Sequence, residues 1–215
     1  MGKLSRGFLG GFQGQLGTAY GCFWRLMDLV KAMPRKVKRA PTEKQQQVQL
    51  RWTLMTSFLA MFSEIIKIGY KQAAVNGQSA MNAAVSHNLK NAVTGVAPDY
   101  ALDFSKLMFS KGKLALPRSC AVVVDGDAEV RFEWGLEIEG NGKSHPTDLG
   151  TFIAYNPTKN QYVCLAGEIP RSALKYTMPM PLDFSEDRVE CYILFVSADG
   201  KAVSNSAYIG NIPIV

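Results

Sequence analysis

The stretch TEKQQQVQLRWTLMTSFLAMFSEIIKIGY, residues 42–70, carries the strongest pattern in the chain. Pro41, Thr42 and, three residues on, Gln45 form a helix-start signal of the S/T-x-x-E/Q kind. Val48, Trp52, Met55, Leu59, Phe62, Ile66 and Gly69 then recur in steps of four and three, one face of an α-helix. A second row, Leu54, Phe58, Met61, Ile65 and Ile68, widens the apolar surface beyond a single stripe. A helix of this kind must be covered on two sides. The chain before it is glycine-rich and basic, and the chain after it reads mostly as β.

Working towards the N-terminus, residues 34–41, PRKVKRAP, form a proline-bounded connector with Arg35, Lys36, Lys38 and Arg39. Its plain reading is a solvated linker into the helix. Its sharper reading is a polyanion contact, with Trp24 and Trp52 as stacking platforms. Before it, Gly7, Gly10, Gly14, Gly17 and Gly21 would form a small-residue seam if the segment were helical. Each such glycine costs a water-exposed helix about 0.5–1 kcal/mol relative to alanine. The segment is therefore expected to be extended: a loop to Gly11, then a hairpin or short strands between Gln13 and Met33. No GxxxxGK[ST] or GxGxxG motif is present, which removes the phosphate-loop reading.

Working towards the C-terminus, Ser79 caps a second helix, with Met81, Val85, Leu89 and Ala92 on one face and Gly95 closing it. His87 lies at the edge of that face and reads as structural. From Leu102 the period changes to that of strands, expected at 104–110, 119–124, 129–137, 151–154, 161–165, 176–178, 189–197 and 206–214. Turn signals at Asp125-Gly126-Asp127, Gly140-Asn141-Gly142, Asn156-Pro157 and Asp199-Gly200 separate them. Seven or eight short strands of this kind predict a β-sandwich. Val130, Phe132 and Trp134 share one strand face, and Tyr192, Leu194 and Val196 another. These two segments resemble the B strand, and the F strand with its adjoining turn, of fibronectin type III domains. The expected class is thus α+β: a Gly-rich extended segment, one long and one short helix, then a fibronectin-III/Ig-like antiparallel sandwich. The expected division is residues 1–100 and 101–215.

The chain has 215 residues, 47% apolar and 20% charged, enough for one sizeable domain or two small ones. Residues 1–100 hold 13 Lys/Arg against 4 Asp/Glu, net +9; residues 101–215 hold 11 against 14, net −3. Such a split allows head-to-tail attraction between copies, or contact of the front half with a polyanion. Cys22, Cys120, Cys164 and Cys191 are scattered without a C-x-x-C pair. Buried free thiols are the preferred reading, with a Cys164–Cys191 pair as the alternative. A metal site needs ligands clustered by the fold, and only two histidines, His87 and His145, could join the scattered cysteines. Asp125 and Asp127 lack the further oxygen ligands calcium needs, and Glu133, Glu137 and Glu139 read as a strand's wet face. Ser86-His87 and Ser144-His145 are sequence neighbours without a G-x-S-x-G elbow. No catalytic residue, metal, cofactor or small-molecule substrate is read from the chain. Glycines and glutamines interrupt any secretory core near the N-terminus, Arg6 stands where myristoylation wants Ser or Thr, and Glu64 and Lys67 cut the longest membrane candidate. The expected location is cytoplasmic or within an assembled particle.

Taken as a set, MGKLSRGFLGGFQGQLGTAYGCFW at the start, the basic M-P-R-K segment, P-T-E-x-Q opening the helix, LKNAVTGVAPDYALDFSKLMFSKG (89–112) and FVSADGKAVSNSAYIGNI (195–212) resemble a domain-of-unknown-function family found mainly in Bacteroidota. The resemblance spans nearly the whole chain. One departure is Arg25-Leu26, where that family often carries glycine shortly after the tryptophan. The resemblance implies architecture and transfers no catalytic or binding residue.

Two functional classes fit these features. The first is a non-enzymatic structural or assembly protein, a phage-derived or filament component. It would self-associate through an arm containing Gly7, Gly10, Gly14, Gly17, Gly21 and Trp24, with another copy or another protein as partner. The second is a nucleic-acid-binding module acting through Arg35, Lys36, Lys38 and Arg39. A scaffold for an unidentified protein partner is the plain alternative to both.

Overall fold

Two C-terminal strands, Leu149–Asn156 and Arg188–Val196, are apolar at successive rather than alternate positions, and nearly every residue in them is buried. A strand's side chains alternate between the faces of its sheet, so apolar residues at every position require a cover on both sides. The computed structural model, which describes residues 3–4, 10–33, 40–74, 77–126, 128–137 and 143–214, supplies both covers. Numbered in chain order, the strands are β1 (Lys3–Leu4), β2 (Phe12–Leu16), β3 (Ala19–Trp24), β4 (Met27–Ala32), β5 (Val93–Val96), β6 (Asp99–Leu102), β7 (Cys120–Val124), β8 (Glu129–Trp134), β9 (Leu149–Asn156), β10 (Gln161–Pro170), β11 (Lys175–Pro179), β12 (Arg188–Val196) and β13 (Ala207–Pro213). The helices are α1 (Glu43–Met61), α2 (Ser63–Gly69) and α3 (Ala80–Asn91).

An antiparallel sheet of order β10-β9-β12-β13 faces a second of order β11-β8-β7, which makes the expected sandwich. Val130, Phe132 and Trp134 of β8 meet Phe152 and Ala154 of β9 and Cys191, Ile193 and Phe195 of β12 between the sheets. The opposite face of the same four-stranded sheet presents Ile153, Tyr155, Tyr192 and Leu194 to the helices. Met55, Phe58, Leu59, Phe62, Ile65 and Ile66 cover it, the two rows read from the sequence. The body is therefore three layers, helices on sheet on sheet.

The long helix is interrupted once. Phe62 donates its N–H to Leu59 O at 3.1 Å, an i→i−3 bond, before α2 resumes with Ile66 N–H to Phe62 O at 2.9 Å. The Phe62 ring is fully buried among Phe58, Phe109, Tyr155 and Tyr162, with centroids 4.5–5.9 Å away. The first three turns of α1 stand clear of this core, leaving Val48 and Trp52 of the first row exposed.

Three sequence expectations change. The strand expected at 104–110 is a 3-10 turn, Phe104–Lys106, and then irregular chain. Side chains take the backbone groups that a ladder would have used. Asn88 accepts from Met108 N–H at 2.8 Å and donates to Met108 O at 2.9 Å, Phe109 N–H donates to Ser206 Oγ at 2.9 Å, and Ser110 Oγ donates to Ser204 O at 2.8 Å. Gly95 does not close α3, which ends at Asn91 with Ala92 as its cap; Gly95 lies in a β5–β6 hairpin at φ +90°. The division of the chain falls not near residue 100 but at Thr42/Glu43, since the helices share the core of the sandwich's central sheet.

The unit 1–42 is a four-stranded antiparallel sheet of order β1-β2-β3-β4. The expected extended segment is thus a meander. Its β3–β4 turn uses Arg25 and Leu26 at φ 47° and 65°, a region costing an L-residue roughly 1–2 kcal/mol. Glycine would take either position without that cost.

Because β9 and β12 belong to both cores, the helical layer and the sandwich should unfold together. With Trp24→Phe and Trp52→Phe in place, fluorescence of the buried Trp134 and ellipticity at 222 nm should trace one urea transition. Phe195→Ala should lower the stability of that single transition by about 3–5 kcal/mol without splitting it. Separate midpoints for the two probes would contradict the shared-sheet architecture.

Candidate functional site

The N-terminal sheet is the feature least explained by folding alone. Strand alternation with the observed register places Phe12, Leu16, Phe23 and Val30 on one face and Tyr20, Trp24, Met27 and Leu29 on the other. Both faces are apolar, yet Gly21 is the one buried residue among the described residues of this unit. Leu16 is 64% exposed, Val30 66% and Leu26 90%. The sheet leaves most of its apolar side chains in water, and contiguous apolar exposure of this kind is unusual on a folded surface.

The glycines of the expected arm serve this sheet rather than a helical seam. Gly14 and Gly21 are cross-strand partners, and Gly17 makes the β2–β3 turn at φ +60°. A Cβ on Gly21 would collide with the Phe12 carbonyl and ring, so glycine there lets Phe12 lie across β3. Gly10 sits in a bend just before β2, Trp24 is half exposed at the end of β3 with the Arg25 guanidinium 4.5 Å from its ring centre, and Gly7 lies outside the described residues. Arg35, Lys36, Lys38 and Arg39, the expected polyanion contact, also lie outside the described residues.

Other candidates dissolve into structure. Among the described residues no three of His, Cys, Asp and Glu gather as metal ligands. Asp125 and Glu133 each bond Arg131 at 2.8 Å on the outer face of the sandwich, while Asp127 and Glu139 lie outside the described residues. Glu137 reaches Arg118 at 3.8 Å. His145 pairs through Nδ1 with Thr147 Oγ1 at 2.7 Å, a turn contact rather than one with Ser144. No helix among the described residues is long and apolar enough to cross a membrane.

Sequence reasoning missed a buried ion pair. Arg171 approaches Asp148 at 3.4 Å, donates to Ala115 O at 2.6 Å, stacks 4.2 Å from the Phe195 ring centre and accepts the Trp134 indole N–H on its carbonyl at 2.7 Å. Burial lowers the pKa of its guanidinium and Asp148 opposes that shift. The ion pair ties the loop before β9 to the 3-10 turn after β10, a structural role. No pattern marks it, because its partners are far apart in the chain.

The model of a family described only as a family of unknown function, DUF6266, matches residues 11–210. No curated protein matches the chain. Among solved structures, the fibronectin type III domain of the human collagen alpha-1(XX) chain is similar at 14% identity, covering 49% of this chain and 89% of that one, with a TM-score of 0.32.

Cys164 and Cys191 are free thiols, and they cannot pair: β9 runs between their strands, and they pack on opposite faces of the sheet. Burial pushes the Cys164 thiol up to about 11, and burial with the nearby Glu190 pushes Cys191 up to about 12. Only the thiolate is alkylated, and at neutral pH its fraction at either site is on the order of 10⁻³ or less. Iodoacetamide should therefore leave both unmodified in the native chain and label both in denaturant, as read by peptide mass.

Proposed function

We propose, for a chain that belongs to the DUF6266 family of unknown function, that it is a non-enzymatic assembly protein whose N-terminal sheet is completed by another copy of itself. The observation that carries this reading is the two-faced apolar sheet with a single buried residue among its described positions. Residues 1–42 hold eight Lys/Arg against one Asp, net +7, while residues 43–215 hold 16 against 17, net −1. A strongly basic unit repels its own kind unless apolar burial outweighs the charge, so association should strengthen with salt. Isologous packing of one sheet face, or strand addition at the β4 edge, would give a closed dimer; use of both faces would give a filament. A phage-derived particle or a filament is the class of structure such a component would serve.

Light scattering across about a hundredfold range of concentration tests this, since association obeys mass action. The full chain should exceed its 23.6 kDa monomer mass. Leu16→Lys with Val30→Lys, or Tyr20→Lys with Leu29→Lys, should return it towards monomer, and the effective pair identifies the face used. A wild-type chain that stays monomeric throughout rejects the reading.

The net +7 of the first unit favours one second reading, a nucleic-acid contact through the connector. Changing Arg35, Lys36, Lys38 and Arg39 to Ser should then abolish retention on nucleic acid at low salt, with the salt slope falling by about 0.9 for each phosphate no longer neutralised. Retention that the four changes leave intact would eliminate it.

A further inference from the structure

Outside the N-terminal unit, α3 presents a polar edge built around His87. Two clefts meet there. One, of about 510 Å³, is lined by Tyr70, Gln78, Ser86, His87, Lys90 and Lys111 among others. The other, of about 460 Å³, is lined by His87, Asn91, Lys106, Met108 and Tyr208 among others. Both volumes fall in the range of small-ligand sites.

The chemistry of the first cleft is one-sided. Among the described residues no carboxylate lines it, and neither Lys90 nor Lys111 has an ion-pair partner. Lys106, in the second cleft, is already neutralised by Asp103 at 2.7 Å. The His87 Nδ1 atom is shielded from solvent and has no hydrogen-bond partner, an arrangement that costs free energy unless something completes it. One wall of the cleft is tied together by hydrogen bonds. Asn88, the next residue on α3, is fully buried and holds both backbone groups of Met108, and Tyr70 donates its hydroxyl to the same Met108 carbonyl at 3.1 Å. Lys111 is fixed through its backbone N–H to Gly69 O at 3.0 Å. Two unpaired cations and the half-buried His87 ring, whose shielded Nδ1 faces away from solvent, thus line one opening.

We infer that this cleft binds a small anionic group, a phosphoryl, sulfuryl or carboxylate, held between Lys90 and Lys111 against the His87 imidazole. The ion pairs would be charge-assisted and the histidine would offer a directional donor when protonated. Burial and then the charges of Lys111 and Lys90 keep the His87 pKa below its ordinary value. The remaining ionisable groups around the histidine are Tyr70 at the end of α2, the Lys106–Asp103 pair and Tyr208 on β13. Burial raises both tyrosines out of the neutral range, Tyr208 to about 12, so the imidazole is the group here whose protonation a bound anion can shift. A bound anion opposes the two lysines and raises the His87 pKa, so binding tightens as pH falls through the imidazole range.

The chain contains two histidines, so His145, in a turn of the sandwich, is an internal control. Full-length protein with ¹³C-labelled histidine would be titrated with sulfate, phosphate and citrate at fixed ionic strength, with sodium chloride as the screening control. The expected result is a saturable shift at His87 alone, with a dissociation constant near millimolar and a raised His87 pKa at saturation. Sulfate, whose charge is constant over this range, should bind more tightly at pH 5.5 than at pH 7.5. Lys90→Gln with Lys111→Gln should weaken binding roughly tenfold or more while leaving the circular dichroism unchanged. Stronger saturation by sulfate and phosphate identifies a tetrahedral anion as the ligand class; stronger saturation by citrate identifies a carboxylate. Shifts that never saturate, that affect both histidines alike, or that survive the double substitution overturn the inference.

Discussion

The central sheet has to be dry on both faces, and most of the molecule is a response to that constraint. Phe152, Cys191, Ile193 and Phe195 need a partner layer on one side, and Ile153, Tyr155, Tyr192 and Leu194 need one on the other. Each such large side chain removed from water contributes about 1.5–3 kcal/mol, so leaving either face open would undo the fold. The β11-β8-β7 sheet answers one face. The other is answered by helices, whose doubled apolar rows are too wide for a surface helix and suit one that lies on a sheet while packing against α3. The break at Phe62 adapts a helix of that length to the surface beneath it.

The connection between layers is made by polar side chains used sparingly. Asn88 alone satisfies both backbone groups of Met108, and Ser206 and Ser110 stitch the same irregular segment to the chain before β13. At the far end, the Arg171–Asp148 pair closes the sandwich. Its guanidinium is costly to bury, and the cost is offset by the combination of a carboxylate, the Ala115 carbonyl and the Phe195 ring. These contacts specify where irregular chain must lie more than they add to stability.

The parts legible in the sequence are those with a local period. The rows from Met55 to Ile66, the Val130–Phe132–Trp134 face and seven strands of the sandwich are readable because each repeats within a few residues. The segment 104–110 misleads because its apolar residues match a strand while its hydrogen bonds go to Asn88, Ser204 and Ser206, which no local window sees. The domain boundary misleads for a related reason: a change of period from helix to strand at residue 100 marks a change of layer, not of unit. The glycine-spaced start announces extended chain but not a sheet apolar on both faces, since the cross-strand register decides which residues share a face. The His87 cleft is invisible in the sequence because Tyr70, His87, Lys90 and Lys111 converge only after α2 and α3 pack.

A strand that is apolar on both sides carries a hidden hazard. Where one face is polar, a slip of one residue exposes oil to water and is punished at once; β12 has no such safeguard along most of its length. Its one acidic residue, Glu190, is buried and accepts from the Tyr208 hydroxyl at 2.8 Å and the Asn211 amide at 2.7 Å on the neighbouring strand. The adjacent irregularity between Cys191 and Tyr192 fixes the same alignment. Shifted by a single position, the carboxylate would enter the dry space between the sheets with neither donor in reach. Glu190 therefore works as a key in a lock: it adds little adhesion, and it makes every wrong alignment of the strand expensive.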